Sequence, residues 1–413
     1  MEEAFVKYKS SEHSAVRTQE YLYNQLFPYI GNKRKLLPLI NEAIQKTGIS
    51  DGTFLDLFSG SGVVARLGKK SGFKVFSNDW EPYSFFYNQA YIEQNEYPLF
   101  EEFGGIKKVY EHLNSLEGVH GYISEHYCPW DDDNPDIKRE RMFFTHKNGM
   151  KIDAMREQIF DWESSEKINE KEKAVLLSSL IYSVSYVSNT SGVFKGFHNG
   201  WGGKTSTALY RILSDINLIE PILHDNKKKN KVFKMDAQIL AEKLNGREKI
   251  NIAYLDPPYN QHPYGSNYHI LNTVSLWDKP PINKCILVDG KPTNKSAIRT
   301  DWRTERRSPY NHKEAATVAL DQLIKTIDSD FILLSYSTDG HMHLKDVLEI
   351  FAENGKLSML TKQYKRYRVS TQRMSDKPYN VETVLILDKR TTSEKGIVNR
   401  LWKKFLEEDK WLS

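Results

Sequence analysis

Thr53-Phe54-Leu55-Asp56-Leu57-Phe58-Ser59-Gly60-Ser61-Gly62 is the stretch whose reading decides the fold. Residues 53–58 read as a buried strand that runs into glycines. From Arg66 the pattern turns helical, and residues 73–77 read as a second strand. Strand, glycine loop, helix, strand is the βαβ unit. It predicts a doubly wound, mostly parallel α/β sheet.

The turn is not the dinucleotide fingerprint, because Ala65 stands three residues after Gly62 on a helical stretch. Asp79 ends the next strand. An acid about twenty residues beyond such a turn suits the two hydroxyls of a ribose. No Arg or Lys cluster faces the turn to neutralise a pyrophosphate, which favours an adenosine ligand without phosphates. Asp56 also reads simply as a cap on the glycine turn.

Further on, Asp256-Pro257-Pro258-Tyr259 directly follows the apolar strand 250–255. Neither proline donates a backbone hydrogen, so the chain leaves the sheet there, at the carboxyl edge. Ligands bind at that edge in open α/β sheets. The Asp256 carboxylate and the Pro257 carbonyl offer two acceptors to one NH2 group, and Tyr259 offers a flat face for a base. An aromatic amine is a weak nucleophile because its lone pair is delocalised. Accepting both its hydrogens favours a pyramidal nitrogen that can attack a methyl group. The plainer reading is a strand-end turn.

Around these motifs the chain falls into zones. Residues 20–94 and 231–390 carry the helix and strand alternation, with further strands at 231–235, 331–335 and 382–387. Residues 95–230 are rich in aromatics and charge and read as an inserted lobe, with a helical block at 174–187. Within it, the loop 192–204 interleaves Phe194, Lys195, His198 and Lys204 with glycines. It reads either as a flexible surface loop or as phosphate contacts with an aromatic wedge for DNA. Arg299, Arg303, Arg306 and Arg307, and the run Tyr364-Lys365-Arg366-Tyr367-Arg368, are further candidates for phosphate contact. Lys227-Lys228-Lys229 reads as a solvated loop, and residues 391–413 as a surface helix ending near Trp411.

The 413 residues suffice for two or three lobes. A net charge of +4 and a pI of about 8.6 permit a nucleic-acid partner without requiring one. Cys128 and Cys285 are too far apart for a CxxC site, and no histidine spacing suits a metal. The expectation is a cytoplasmic protein with no metal, no signal peptide and no membrane span.

In this order the motifs resemble the adenine-N6 DNA methyltransferases of the DNA adenine methylase class, over roughly residues 24–390. Phe27-Pro28-Tyr29-Ile30-Gly31-Asn32-Lys33 looks like that family's opening motif. The resemblance implies that Tyr29, Gly31, Asn32 and Lys33 meet the methionine part of S-adenosyl-L-methionine. The segment 56–62 looks like the cofactor loop, with Asp56, Phe58, Gly60 and Gly62 on the cofactor. Asp79 matches the ribose acid, and Met235-Asp236-Ala237 the segment beside the adenine ring. Asp256, Pro257, Pro258 and Tyr259 match the catalytic tetrapeptide, and Asp256 also borders the cofactor. Ser266-Asn267-Tyr268-His269 and Trp277-Asp278 resemble a subgroup found among restriction-modification methylases. Ser191-Gly192-Val193-Phe194-Lys195-Gly196-Phe197 is similar to the DNA-contacting loop of the class.

The motif order, cofactor then insert then tetrapeptide, is the one the family calls alpha. It implies a Rossmann-like methyltransferase domain and an inserted target-recognition lobe. It also implies double-stranded DNA with a flipped-out adenine, and any cognate restriction endonuclease as a separate chain. Other enzymes fit less well. Cytosine-N4 methylation usually replaces Asp256 with Ser, and RNA or protein-glutamine methylation usually replaces it with Asn. Cytosine-C5 methylation needs a Pro-Cys that is absent here. A non-catalytic DNA-binding specificity module is the rival from a different class.

Overall fold

A computed structural model describes residues 20–206, 208–288, 290–337, 340–365 and 379–409. The described chain forms two compact units. One gathers the residues up to Asn32, Glu81–Asp225 and Tyr264–Glu305. The other gathers Lys33–Trp80, Asn226–Pro263 and the residues from Arg306 onward.

The second unit holds the sheet. Its strands are β1 (Thr53–Asp56), β2 (Lys74–Asn78), β3 (Lys231–Phe233), β4 (Ile250–Leu255), β5 (Ser329–Ser337), β6 (Lys356–Lys365) and β7 (Tyr379–Asp388). They lie in the order β3-β2-β1-β4-β5-β7-β6. The first five are parallel, and β7 runs antiparallel to both β5 and β6. This is the doubly wound, mostly parallel sheet that the βαβ unit predicts.

Both faces are covered, so the central strands are apolar at nearly every position. Along β1, Thr53 to Asp56 are all buried. One face of the sheet, with Leu55, Phe76, Ala253 and Leu334, packs on helices Ala237–Leu244, Lys313–Thr326 and Leu344–Asn354. The other face carries Phe54 under helix Val63–Lys70. That helix approaches so closely that a Cβ on Gly68 would lie 2.9 Å from the Phe54 ring.

The chain order reverses between β1 and β4, which are neighbours in space but far apart in sequence. The carboxyl ends of those two strands therefore flank the topological switch point, where a crevice opens in such sheets. Asp56 ends β1 and Asp256 follows β4.

The first unit is helical. Helix Glu170–Val187 is buried around most of its circumference, as expected of an element at the centre of a helical core. Asn169 caps it: its side chain accepts from the Lys171 and Glu172 amides, and the Glu172 carboxylate accepts from the Asn169 amide. Beside it runs His146–Ser164, whose buried Asp153 accepts from the Ile123 and Ser124 amides at 2.7 and 2.8 Å. The fully buried Arg141 donates to carbonyls of His126, Asn283, Lys284, Asn294 and Lys295. Through those bonds the segment after the tetrapeptide is built into this unit. That segment was expected to belong with the catalytic stretch 231–390.

The expected tail helix forms as Ile397–Glu408. Trp411 and residues 366–368 of the basic aromatic run lie outside the described residues. No helix among the described residues is long and apolar enough to cross a membrane.

Candidate active site

β4 is buried up to Leu255 apart from half-buried Asn251, and Pro257 and Pro258 then turn the chain off the sheet. The turn is held on its far side. The Tyr259 carbonyl accepts from the His341 amide at 3.1 Å, and the Asn260 carbonyl accepts from Asn311 Nδ2 at 2.7 Å. The Tyr259 ring meets Tyr336 edge to face, with centroids 5.6 Å apart. Both the backbone and the ring of the tetrapeptide are thus fixed by packing within the second unit.

Lys33 joins this turn. Its ammonium lies 3.0 Å from Asp256 Oδ1 and also donates to the Tyr259 hydroxyl. The Lys33 side chain is only 4% exposed. Burial alone would lower its pKa, but the Asp256 and Glu382 carboxylates outweigh burial and hold it above the ordinary lysine value. For Asp256, burial is the larger effect and raises its pKa, while the Lys33 charge opposes without cancelling it. The two charges therefore depend on each other.

Asp56 is buried at the end of β1. Burial first, and then the negative charges of Asp256 and Asp79, push its pKa well above the usual carboxylate range. Its Oδ1 has no hydrogen-bond partner among the described residues. A buried acceptor left unpaired is costly, so it calls for a donor from a ligand.

Beyond Asp56 the chain turns at Gly60 and Gly62, with φ of 49° and 75°. The turn bends the backbone around the carboxyl end of the strand, and the Gly60 amide donates to Asp79 Oδ2 at 2.8 Å. Side chains other than glycine rarely adopt this backbone.

Asn78 is a residue that the sequence reading missed. Its Nδ2 donates to the carbonyls of Leu57 and Met235, both at 3.1 Å, and its Oδ1 accepts from the Met235 amide at 3.3 Å. One buried amide thus ties together the chain ends leaving β1, β2 and β3. Its position at a strand end just before Asp79 was the only signal available in the sequence.

Asp236 is already engaged as the N-cap of helix Ala237–Leu244, accepting from Gln238 and Ile239 at 2.8 and 3.2 Å. Ala237, the first residue of that helix, is buried, and Phe58 packs edge-on to Tyr310 at 5.4 Å. Among the described residues no group of three or more His, Cys, Asp or Glu could hold a metal ion.

Tyr29, Gly31, Asn32 and the loop 192–204 fall in the first unit. Tyr29 stacks on Tyr264 and Tyr268, with centroids 5.1 and 5.0 Å apart. The Tyr268 hydroxyl accepts from the Ile30 amide at 2.7 Å, and Gly31 turns the chain at φ 77°. The Asn32 amide closes that turn by donating to the Tyr29 carbonyl at 3.2 Å.

In the loop 192–204, Lys195 and Lys204 are exposed and His198 is half-buried. Phe194 is 2% exposed and packs near Phe143 and Phe144, so it anchors the loop in the fold. Arg299 is also committed internally. It grips both oxygens of Asp278 at 2.6 and 2.7 Å and pairs with Asp301 at 3.1 Å, which removes it from the expected phosphate clamp. Arg303 and Arg307 stay exposed.

Comparison with known proteins agrees with these motifs. Residues 29–301 match a family model described as D12 class N6 adenine-specific DNA methyltransferase. The chain is 32% identical over 346 residues to the Type II methyltransferase M.NlaIII of Neisseria lactamica, covering 82% of this chain and 92% of that protein. It is 31% identical over 381 residues to the modification methylase StsI of Streptococcus sanguinis, covering 90% of this chain. It is 33% identical over 352 residues to the Type II methyltransferase M.FokI of Planomicrobium okeanokoites, covering 84% of this chain. The matched region spans about half the length of the last two, 53% of StsI and 50% of M.FokI.

Proposed function

Because this chain belongs to the D12 class N6 adenine-specific DNA methyltransferase family, we propose that it transfers a methyl group from S-adenosyl-L-methionine to N6 of an adenine at a specific site in double-stranded DNA. The observation that carries this reading is the placement of Asp56 and Asp256 at the carboxyl ends of adjacent strands, flanking the switch point of the sheet. One end offers buried carboxylates and a glycine turn, and the other offers the amine acceptors.

The residues present fit the cofactor. S-adenosyl-L-methionine is cationic and carries no phosphate, and when bound it supplies an electrophilic methyl group on sulfur. Among the described residues, Asp56 has a buried oxygen that lacks a donor. Asp79 beside Gly60 would take the ribose hydroxyls, and the 235–237 segment and Phe58 would border the adenine ring. Tyr29, Gly31 and Asn32 are assigned to the methionine end on the motif resemblance.

The chemistry is asked of Asp256, Pro257 and Tyr259. The flipped adenine stacks on Tyr259 while its amino hydrogens are accepted by the Asp256 carboxylate and the Pro257 carbonyl. Both acceptors draw the nitrogen toward a pyramidal shape and free its lone pair for in-line displacement. The nitrogen gains one methyl group and then releases one proton. Lys33 keeps Asp256 oriented and ionised. Pro258 fixes the backbone of the turn. Lys195, His198 and Lys204 would contact DNA phosphates. A cognate restriction endonuclease would be a separate chain.

The test is single-molecule sequencing of DNA treated with the purified protein and S-adenosyl-L-methionine. N6-methyladenine at one short recurring sequence is the expected result. No modified adenine, despite cofactor binding, would remove DNA as the substrate.

A further inference from the structure

The loop 191–204 is not held as an ordinary surface loop. Asn189 stands at its root, fully buried. Its Nδ2 donates to the carbonyls of Met142, His198 and Gly200 at 2.9, 3.1 and 3.3 Å. Its Oδ1 accepts from the Gly202 amide at 3.0 Å, and its own carbonyl accepts from the His198 amide at 3.0 Å. A single side chain thus gathers both limbs of the loop.

A second clasp comes from the segment that follows the tetrapeptide. The Phe194 amide donates to the Asn267 carbonyl at 2.7 Å, and the Phe194 carbonyl faces His269 Nε2 at 2.8 Å. Both main-chain groups of Phe194 are therefore taken by residues only eight and ten positions beyond Tyr259. Ser296 adds a third bond, donating to the Lys195 carbonyl at 2.8 Å.

His269 is fully buried, and its Nδ1 has no partner among the described residues. A carbonyl accepts only, so Nε2 must carry the proton and donate. Burial pushes the imidazole pKa down to about 3, and the nearby Arg299 and Arg141 charges act in the same direction. The ring is thus a fixed neutral donor at any working pH, and this contact does not switch with pH.

We propose that Asn189 and His269 are positioning residues that preorganise the loop 191–204, so that Lys195, His198 and Lys204 meet DNA already in place. This rests on the reading of that loop as the DNA-contacting element. The physical reason is entropic. An unclasped loop of glycines would have to be ordered on each encounter with DNA, and that cost would weaken binding. Clasping it in advance moves the cost into folding. The placement of His269 also makes the chain just after the catalytic turn a support of the DNA loop.

The test compares wild type with His269→Phe, His269→Gln and Asn189→Ala. Phe fills the pocket but cannot donate, whereas Gln keeps a donor near the Nε2 position. Two readouts are needed. The first is hydrogen–deuterium exchange of amides in 190–203. The second is steady-state methylation of a DNA duplex bearing the target sequence, with KM for DNA and kcat measured separately. The expected result for His269→Phe is faster exchange confined to the loop. Its KM for DNA should rise about tenfold, the loss of roughly one hydrogen bond, with kcat and cofactor affinity within about twofold. Gln should recover most of the change, and Asn189→Ala should exceed Phe in both readouts. Faster exchange with an unchanged KM for DNA would overturn the proposal, because the clasp would then be structural only. Unchanged exchange in folded His269→Phe and Asn189→Ala would overturn it as well. If wild type itself methylates no DNA, the functional reading beneath the proposal has failed, and the exchange data separate that outcome from failure of the clasp.

Discussion

The Lys33 ammonium lies 3.0 Å from Oδ1 of Asp256, with the lysine side chain 4% exposed and the aspartate side chain 17% exposed. Two opposite charges this well sheltered depend on each other. Removing one strands the other in a medium that solvates it poorly. The pair joins Lys33 to the catalytic turn across more than two hundred residues of sequence.

The first prediction follows from the raised Lys33 pKa. Above the ordinary lysine value of about 10.4 the unfolded chain loses this proton while the folded chain keeps it. The folded state then binds more protons, so stability falls as pH rises. The contribution is fully present below pH about 10.4 and is lost on the alkaline side. Lys33→Met should unfold more easily at neutral pH by about 3 kcal/mol. It should also lack this share of the alkaline loss. Urea unfolding of both proteins at neutral and strongly alkaline pH measures both effects. Parallel curves at the two pH values would show that the lysine has no such role.

Activity should carry the mark of Asp256. Burial raises its pKa above the ordinary carboxylate range, and an amine acceptor works only when ionised. The acid limb of kcat/KM should therefore lie above the ordinary aspartate value of about 3.9. In Lys33→Met the opposing charge is gone, and the limb should move further upward. A pH–rate profile for each enzyme decides this. A limb that stays in place in the variant would mean that Lys33 does not tune Asp256. Asp256→Asn should lower transfer at least a hundredfold at any pH, since an amide is a weaker acceptor and lacks the charge.

Much of this was legible in the sequence because it is local chemistry. A strand running into Gly60 and Gly62, and two prolines after β4, declare themselves without reference to the rest of the chain. Strand β6 was not legible. It is an edge strand in which exposed Lys356, Ser358 and Lys362 alternate with buried Leu357 and Met359, so it lacks the continuous apolar run of a covered strand. Long-range pairing hid the rest. Nothing near Arg299 in sequence says that both Asp278 and Asp301 claim its guanidinium. Nothing near Phe194 says that its ring is buried and both its main-chain groups are bound. Asp236 looks like a cofactor residue by motif, and nothing in that motif says that its Oδ1 also caps helix Ala237–Leu244.

Asn78 yields a prediction of a different kind, because it touches no reacting group. Asn78→Ala removes the ties from β2 to Leu57 and Met235. The glycine turn and the 235–237 segment should then drift apart. Affinity for S-adenosyl-L-methionine should fall about tenfold, equivalent to roughly one lost hydrogen bond. KM for DNA should stay within about twofold. Isothermal titration with the cofactor alone tests the first part, and steady-state kinetics the second. Asn78→Asp keeps the acceptor toward the Met235 amide but loses both donors, so it should resemble Ala. Cofactor affinity equal to wild type in either variant would show that the turn holds its shape without Asn78.

Gly68→Ala sets two effects of opposite sign against each other. In an exposed helix the change would stabilise by about 1 kcal/mol, since alanine loses less backbone freedom on folding. Here the added Cβ would stand 2.9 Å from Cδ1 and 3.1 Å from Cγ of Phe54. Phe54 is fully buried in β1, between β2 and β4, so its ring has no room to retreat. Overpacking of this kind costs about 2 kcal/mol and should win. Helix Val63–Lys70 begins directly after Gly62, so the strain should also displace the cofactor turn. Denaturant unfolding should show Gly68→Ala less stable than wild type. The double variant Gly68→Ala, Phe54→Leu should be more stable than the sum of the two single changes, because the smaller side chain makes space for the methyl group. Simple additivity would mean that the helix shifts away from the sheet rather than pressing on the ring.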